Sequence, residues 1–484
     1  MPIPLSARRV LPLAALLGAA CADLPTPVRP PDDLARNASP AELLDAQRLL
    51  TDDELLTPED PAALPVNPVW SRWVRENHLP IRSLTSTRFD DLQPLKTLLA
   101  GKRVVQLGES GHGVREFNQS KVRLIRFLHE EMGYDVVAFE SEMFECGMVD
   151  RSAATIDYTP FLMWRCVYGV WYTQEVLDLF EYVRSTWKTA RPLHVAGVDL
   201  QPNGYSYNPS NVYHDFISAV DTAYARRVRT MERSFVDRYW RAYRLPYDQQ
   251  AAYWRDVEAR EGLRAQYDSV VRFFDAHEAE MAGVHADYPP LRALARQHAY
   301  SRTRLIDMLR HEVPSDAATE VRDETMADNL DALLDRVYPG EKVVVWAANY
   351  HIRHDNPSVF IPSLDPPLRE RTMGSWVSAR RRPELYTVGL YLYRGEAADN
   401  SGRTYDVLPP RAPASLEALF YTVRKKHFLV DLRGAARSPG TEWMFHPIAA
   451  KAWGTYDEVM VLRDQYDGIL FVDTASPPDY DYFD

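Results

Sequence analysis

The sequence predicts an α/β protein: an open, largely parallel sheet with flanking helices and a helical cap inserted between two of its strands. Three observations lead there. Four short Val-rich runs, "RVVQLG" (103–108), "YDVVAFE" (134–140), "LHVAGVD" (193–199) and "KVVVWAAN" (342–349), have the near-continuous apolar character of strands buried on both faces. Helical patterns separate them, giving the βαβαβ alternation of a parallel sheet with right-handed crossovers. The stretch from about 212 to 312 is charged, aromatic and helical in spacing, with no strand-like run, and reads as the cap.

Taken in order, the elements are consistent with that class. "WSRWVRENHLPI" predicts a helix that opens the folded body near Val69. In "VREFNQSKVRLIRFLHEEMG" the residues Phe117, Leu124, Ile125, Leu128 and Met132 share one helical face, and Gly133 ends the helix. "TQEVLDLFEYVRSTWKTA" and "RDETMADNLDALLDRVYPG" supply helices before the third and fourth strands, the latter closed by Pro339 and Gly340. "LYTVGLYLY", "HFLVDLR" and "DGILFVDT" extend the sheet towards the C-terminus. No repeat of solenoid type occurs.

Residues 1–22 read as an export signal: Arg8 and Arg9 precede an apolar run too short to span a bilayer, and small residues follow. "LLGAAC" resembles a lipoprotein box, with Gly18 where a branched aliphatic is usual, so Cys21 is a candidate lipid anchor and membrane tether. The chain is therefore expected to be exported, either to the periplasm or to an outer-membrane anchor. Residues 23–68 are rich in proline and acid and read as a tether, followed by the body at 69–484. Cys146 and Cys166 then remain; two buried thiols are the simpler expectation, a disulfide the alternative. With 56 Lys and Arg against 68 Asp and Glu, the net charge of -12 and the lack of a basic stripe exclude a nucleic-acid partner.

In an open α/β sheet, ligands bind beyond the carboxyl ends of the strands. Here each of the first four strands ends in polar groups: Glu109 and His112 after the first, Glu140 and then Glu142 at the second, Asp199 at the third, Asn349 and His351 after the fourth. Singly, each has a plainer reading, Glu109 as a helix-start charge, Glu140 as a partner for Lys121 or Arg115, Asp199 as a turn residue. Together they point to a catalytic site.

"GESGHG" lacks the second glycine of a nucleophile elbow, so Ser110 is a poor nucleophile. The order of its glycines is wrong for a dinucleotide fingerprint, and neither a P-loop nor H-E-x-x-H occurs. What remains is a histidine near carboxylates, suited to act as a general base towards water. Glycines 108, 111 and 113 are expected to bring the turn's backbone close to substrate, beside a helix N-terminus that favours negative charge. The aromatic run Trp164, Tyr168, Trp171 and Tyr172 reads as core rather than as a substrate platform.

From about Gly101 to Pro477 the chain resembles the erythromycin esterase family. The resemblance is carried in order by "LGESGHGVREFNQSKVRLIRFL", "VVAFESE", "VWYTQEVLDLFEYVRS", "VAGVDLQ", "RDETMADNL", "VVVWAANYHI", Met373-Gly374 and "YDGILFVDTASP". It implies a hydrolase of a carboxylic ester or lactone, with a macrolide as one candidate and antibiotic resistance as one role. It implies His112 as the base, Glu109 and Glu140 as its carboxylates, Lys121 as the basic helix residue and His351 as a later site histidine. Lys121 is expected to bind substrate together with Asp199 and Asn349. The family's W-A-H-N-x-H is "WAANYH" here, so Ala348 replaces an imidazole with a methyl group. No cofactor or metal is assigned. The alternatives are a metal-dependent hydrolase, with His351 and His354 as candidate ligands, and a non-catalytic lipoprotein of the same fold that binds haem or another ligand.

Overall fold

The computed structural model describes residues 66–480, apart from 365–366, 411 and 413. The export segment, Cys21 and the tether up to residue 65 lie outside the described residues. The strands are β1 (Leu79–Pro80), β2 (Val104–Leu107), β3 (Val136–Glu142), β4 (His194–Asp199), β5 (Val343–Trp346), β6 (Leu385–Ala398), β7 (Thr404–Val407), β8 (His427–Asp431), β9 (Ile448–Ala452), β10 (Tyr456–Met460) and β11 (Gly468–Ala475). Nine of them form one sheet in the order β1-β8-β11-β6-β2-β5-β3-β4, with β7 beside β6, while β9 and β10 form a separate hairpin. Pairing is parallel from β11 across to β4, and β8 runs antiparallel to β11.

Alternation along the buried strands sorts side chains to two faces. Val104, Val136, Ala138, Val343 and Val345 face the helical insertion, whereas Val105, Leu107, Val137, Phe139, Val344 and Trp346 face the helices Arg115–Met132 and Gln174–Thr186. Helices therefore cover both faces, which is why these strands read as unbroken apolar runs. Helix Arg115–Met132 ends at Gly133, whose φ of 72° is the left-handed conformation that favours glycine. The insertion contains the helices Thr222–Ala242, Tyr247–Glu261, Leu263–Ala276 and Pro290–Leu309. Asp221 caps the first of these, its carboxylate accepting from the backbone N–H groups of Ala223 and Tyr224 at 2.8 Å each.

The expectation of two free thiols is corrected. Cys146, on the helix Met143–Ser152, and Cys166, at the end of the helix Thr159–Cys166, form a disulfide. The two helices pack so that the Cα atoms lie 4.2 Å apart, a proximity that spacing along the chain does not reveal. Among the described residues no helix is long and apolar enough to cross a membrane.

Register sets up the site. Leu107 pairs with Trp346, and Trp346 with Phe139, so β2 and β5 end at one level, beside Phe139 of β3 with Glu140 next along that strand. The residues that follow them meet at the carboxyl edge of the sheet.

Candidate active site

At that edge lies a cleft of about 530 Å³, lined in part by Glu109, His112, Glu140, Arg322, Ala348 and His351. The turn after β2 is held from both sides: Gly108 N–H donates to Val388 O on β6, and Asn349 N–H donates to Glu109 O. A Cβ at Gly108 would fall 2.0 Å from Asn349 Oδ1, and one at Gly113 would fall 2.1 Å from Ala398 O. These glycines therefore admit the protein's own neighbours, which revises the expectation that they clear space for substrate. Gly113→Ala is expected to cost about 1–3 kcal/mol of stability through overpacking, read by calorimetric unfolding. The helix start at Arg115 is also occupied from within, because Arg115 N–H donates to Ser476 O and Glu116 accepts from Ser476.

His112 Nδ1 lies 2.6 Å from Glu109 Oε1. A carboxylate can only accept, so Nδ1 carries the proton and Nε2 of the neutral ring keeps its lone pair. Glu109 is almost fully buried and accepts also from Trp171 Nε1 at 3.1 Å and Lys121 Nζ at 2.6 Å. The ring of His112 sits edge-on between Trp171 and Trp453, at centroid distances of 5.2 and 5.3 Å. Such packing limits rotation of the imidazole. Trp171 is core, as the aromatic run suggested, and it also belongs to the site.

Glu140 does not share the duty of orienting His112 through the hydrogen bonds seen here. Its Oε1 lies 3.1 Å from His351 Nε2 and 3.3 Å from Arg322 Nη2, and its Oε2 accepts from Ala348 N–H at 2.9 Å. Burial pushes its carboxyl up, but His351, Arg322 and His112 outweigh that and hold it well below the usual range. His351 Nδ1 in turn lies 2.7 Å from Asp323 Oδ1. Burial lowers the imidazole, but the two flanking carboxylates dominate and raise it from 6.5 to about 10. His351 is therefore a cation at neutral pH and is not a second base.

A pH effect follows from that raised value. The contribution of His351 to stability is complete below about 6.5 and is lost as the pH rises through about 10. Chemical denaturation between pH 8 and 11 is expected to show that loss. In an Asp323→Asn variant the loss begins nearer neutrality, because one of the two flanking carboxylates is gone.

The residues assigned to substrate binding are corrected on the same grounds. Lys121 is fully buried, with its Nζ on Glu109 and 4.6 Å above the Trp346 ring. Burial lowers its ammonium and Glu109 opposes the shift. Asp199 accepts from Arg322 Nε at 3.0 Å and from the backbone of Leu200 and Gln201. Asn349 spends its amide on Leu390, donating to O at 3.0 Å and accepting from N–H at 3.1 Å. Lys121 and Asp199 hold the site together from behind, while Asn349 lines the cleft with its amide committed to Leu390. His351 and His354 do not converge, since His354 Nε2 faces Thr387 Oγ1 on β6 at 2.9 Å. Among the described residues no group of three or more His, Cys, Asp or Glu is arranged to hold a metal ion.

Three contributors escaped the sequence reading. Arg322 and Asp323 were visible only as part of "RDETMADNL". Trp453 comes from the turn between β9 and β10, where Trp453 and Gly454 have φ of 54° and 65°. Thr455 N–H donates to Ala452 O across that turn, the geometry of a tight hairpin. A left-handed tryptophan is uncommon. It is held by its N–H to Ser110 O at 2.6 Å and by Tyr405 Oη to its carbonyl at 2.9 Å. The "WG" pair between two short segments of weak pattern was the available signal.

The family pattern named Erythromycin esterase matches residues 129–475. The chain belongs to the erythromycin esterase family. A Bacillus subtilis family relative named "Putative hydrolase YbfO" is 30% identical over 425 residues, covering 84% of this chain and 91% of that protein. An Escherichia coli protein named erythromycin esterase type II is 30% identical over 155 residues, 31% of this chain and 37% of that protein. Among solved structures, a Bacillus cereus protein superposes with a TM-score of 0.70 at 19% identity, covering 86% of this chain and all of its own. An erythromycin esterase mutant, EreC, in its open conformation gives 0.56 at 16% identity, covering 81% and 95%. The two structures establish a shared fold. Membership of this erythromycin esterase family, with the near full-length relative, makes the chain a hydrolase.

Proposed function

We propose that the chain hydrolyses an uncharged carboxylic ester or lactone, with His112 as the general base that takes a proton from water. The observation that carries this reading is the 2.6 Å bond that His112 Nδ1–H donates to Glu109, with the second Glu109 oxygen held by Lys121. That arrangement leaves His112 Nε2 as the group able to accept a proton. The water oxygen then bonds to the carbonyl carbon, and the carbonyl electron pair moves to oxygen. Arg322 and His351 line the same cleft, where their N–H dipoles favour that oxyanion although their net charge is matched by Asp199, Glu140 and Asp323. Collapse breaks the bond to the alcohol oxygen, which takes the proton back from His112.

The charge balance supports an uncharged substrate. Lys121, Arg322 and His351 oppose four carboxylates, Glu109, Glu140, Asp199 and Asp323, leaving one formal negative charge. Protonation of His112 cancels it, so the site favours the state in which the base has done its work.

The test is incubation of the purified chain with simple esters and macrolactones, followed by mass spectrometry for addition of one water. Macrolides enter the panel because of the relatives' names, and Ala348, which presents only a methyl to the cleft, makes a changed ring preference an expected result. Water addition that disappears in His112→Ala is the expected outcome; a variant with wild-type turnover would refute the assignment. Incubation with a strong chelator is expected to leave turnover unchanged. Export is part of the proposal, with the signal within residues 1–22: cleavage before Cys21 leaves that residue as the lipidated anchor, and cleavage before Asp23 is the alternative without an anchor. The Cys146–Cys166 disulfide supports an oxidising compartment. Mass analysis of the mature N-terminus tests it: an acylated Cys21 is expected, and an unprocessed Met1 overturns the assignment.

A further inference from the structure

Two residues that line the cleft beside His112 also face a neighbouring space. Beyond Arg322 and His351 lies a second, open-mouthed cavity of about 800 Å³, counted with the solvent at its mouth, beneath the helical insertion, and those two side chains line both spaces. Its walls come from the helices Thr222–Ala242, Tyr247–Glu261 and Pro290–Leu309 and from the start of the helix Asp316–Ala332. Four aromatic side chains line it: Tyr239, Tyr243, Tyr247 and Trp254. Trp254 is buried, whereas Tyr247 is 51% exposed.

The chemistry of the lining is one-sided. None of the residues around this cavity is Asp, Glu or Lys, and its two charged residues are Arg322 and His351 at the shared wall. Both of these are already matched by Asp199, Glu140 and Asp323. An anion or cation entering here would lose its hydration without gaining a counter-charge. An aromatic ring gains offset or edge contacts with the wall, worth about 2- to 12-fold in affinity for each ring pair.

We infer that this cavity is a second subsite, which takes an uncharged aromatic ring of the substrate while the ester carbon lies beside His112. The inference rests on the ester-hydrolase reading and adds the class of group that such an ester carries. The helical insertion then sets specificity, and the sheet edge supplies the reaction.

The test separates ring recognition from ester reactivity. Methyl 3-(2-naphthyl)propanoate and its saturated partner methyl 3-(2-decalyl)propanoate present the same ester, and 2-(2-naphthyl)ethyl acetate and its decalyl partner place the ring on the alcohol side. Wild-type protein is expected to prefer the naphthyl member of at least one pair by about 2- to 12-fold in kcat/KM. Tyr243→Leu removes one ring and brings that ratio towards one. Thr319→Trp fills the cavity from its wall and lowers turnover of the naphthyl ester at least about tenfold relative to that of methyl propanoate. A wild-type ratio of one, or a ratio unchanged in both variants, overturns the subsite. If no ester is turned over, the ester-hydrolase reading fails by itself. Calorimetric titration with 2-(2-naphthyl)ethanol then decides the subsite: binding to the wild type that is lost in Thr319→Trp retains it, and no binding overturns it.

Discussion

On the proposed ester-hydrolase reading, His112→Ala is expected to lower kcat/KM by about 10²- to 10⁴-fold for each ester found to be turned over, the range expected for loss of a general base. The fold survives the change. Glu109 keeps Lys121 and Trp171 as partners, so no buried carboxylate is left without a counter-charge. Unfolding curves for variant and wild type should therefore lie close together while turnover separates them. Glu109→Gln behaves differently, because it removes the counter-charge of a fully buried Lys121. That variant is expected to lose stability as well as activity. Parallel initial-rate and denaturation measurements distinguish the two, and a His112→Ala protein that is unstable but active would overturn the assignment.

Arg322→Ala is expected to cost about 3–5 kcal/mol of stability, because it strands charges that are already out of water. Arg322 lies between Asp199 and Glu140, and its side chain is 7% exposed. Removing it leaves Asp199 with backbone donors and Glu140 with His351 and Ala348 N–H. The penalty depends on pH with a definite sign. The Glu140 carboxyl is held below its ordinary 4.5 in the folded protein, so its contribution is present above that value and is lost as the pH falls. The gap between wild type and Arg322→Ala should be widest above about pH 5 and narrow in acid. Urea denaturation at pH 7 and pH 4 measures both, and a gap that widens in acid would contradict the pairing.

The strands were the most legible part of the fold. A Val-rich run such as "KVVVWAAN" has one stable environment, a strand covered on both faces, and β5 occupies it with all four residues buried. The helix from Arg115 was legible for a similar reason, since a 3.6-residue apolar period and a terminal glycine are local properties. The short strands β9 and β10 were not. "IAAKA" and "YDEVM" have weak patterns, and they are stabilised by mutual pairing and by the Trp453 turn against Ser110.

The site was legible as a set of residues and not as a set of pairs. Glu109 with His112 could be read because three residues of chain separate them. Glu140 with His351, Asp323 with His351, and Arg322 with Asp199 could not, because the partners of the first and last pairs are more than 100 residues apart and Asp323 and His351 lie on different elements.

The sequence by itself determined the kind of protein: buried parallel strands, covering helices, polar groups at the strand ends and the Glu109-His112 turn. Each of these depends on periodicity or on close neighbours along the chain. Only the tertiary structure decided that β5 lies between β2 and β3, that Glu140 serves His351, that Lys121 and Asp199 brace the site from behind, and that Cys146 meets Cys166. The physical reason is common to all four. Burial is written in local pattern, whereas the partner of a buried charge or thiol is set by strand order and register, which join residues that the chain keeps far apart.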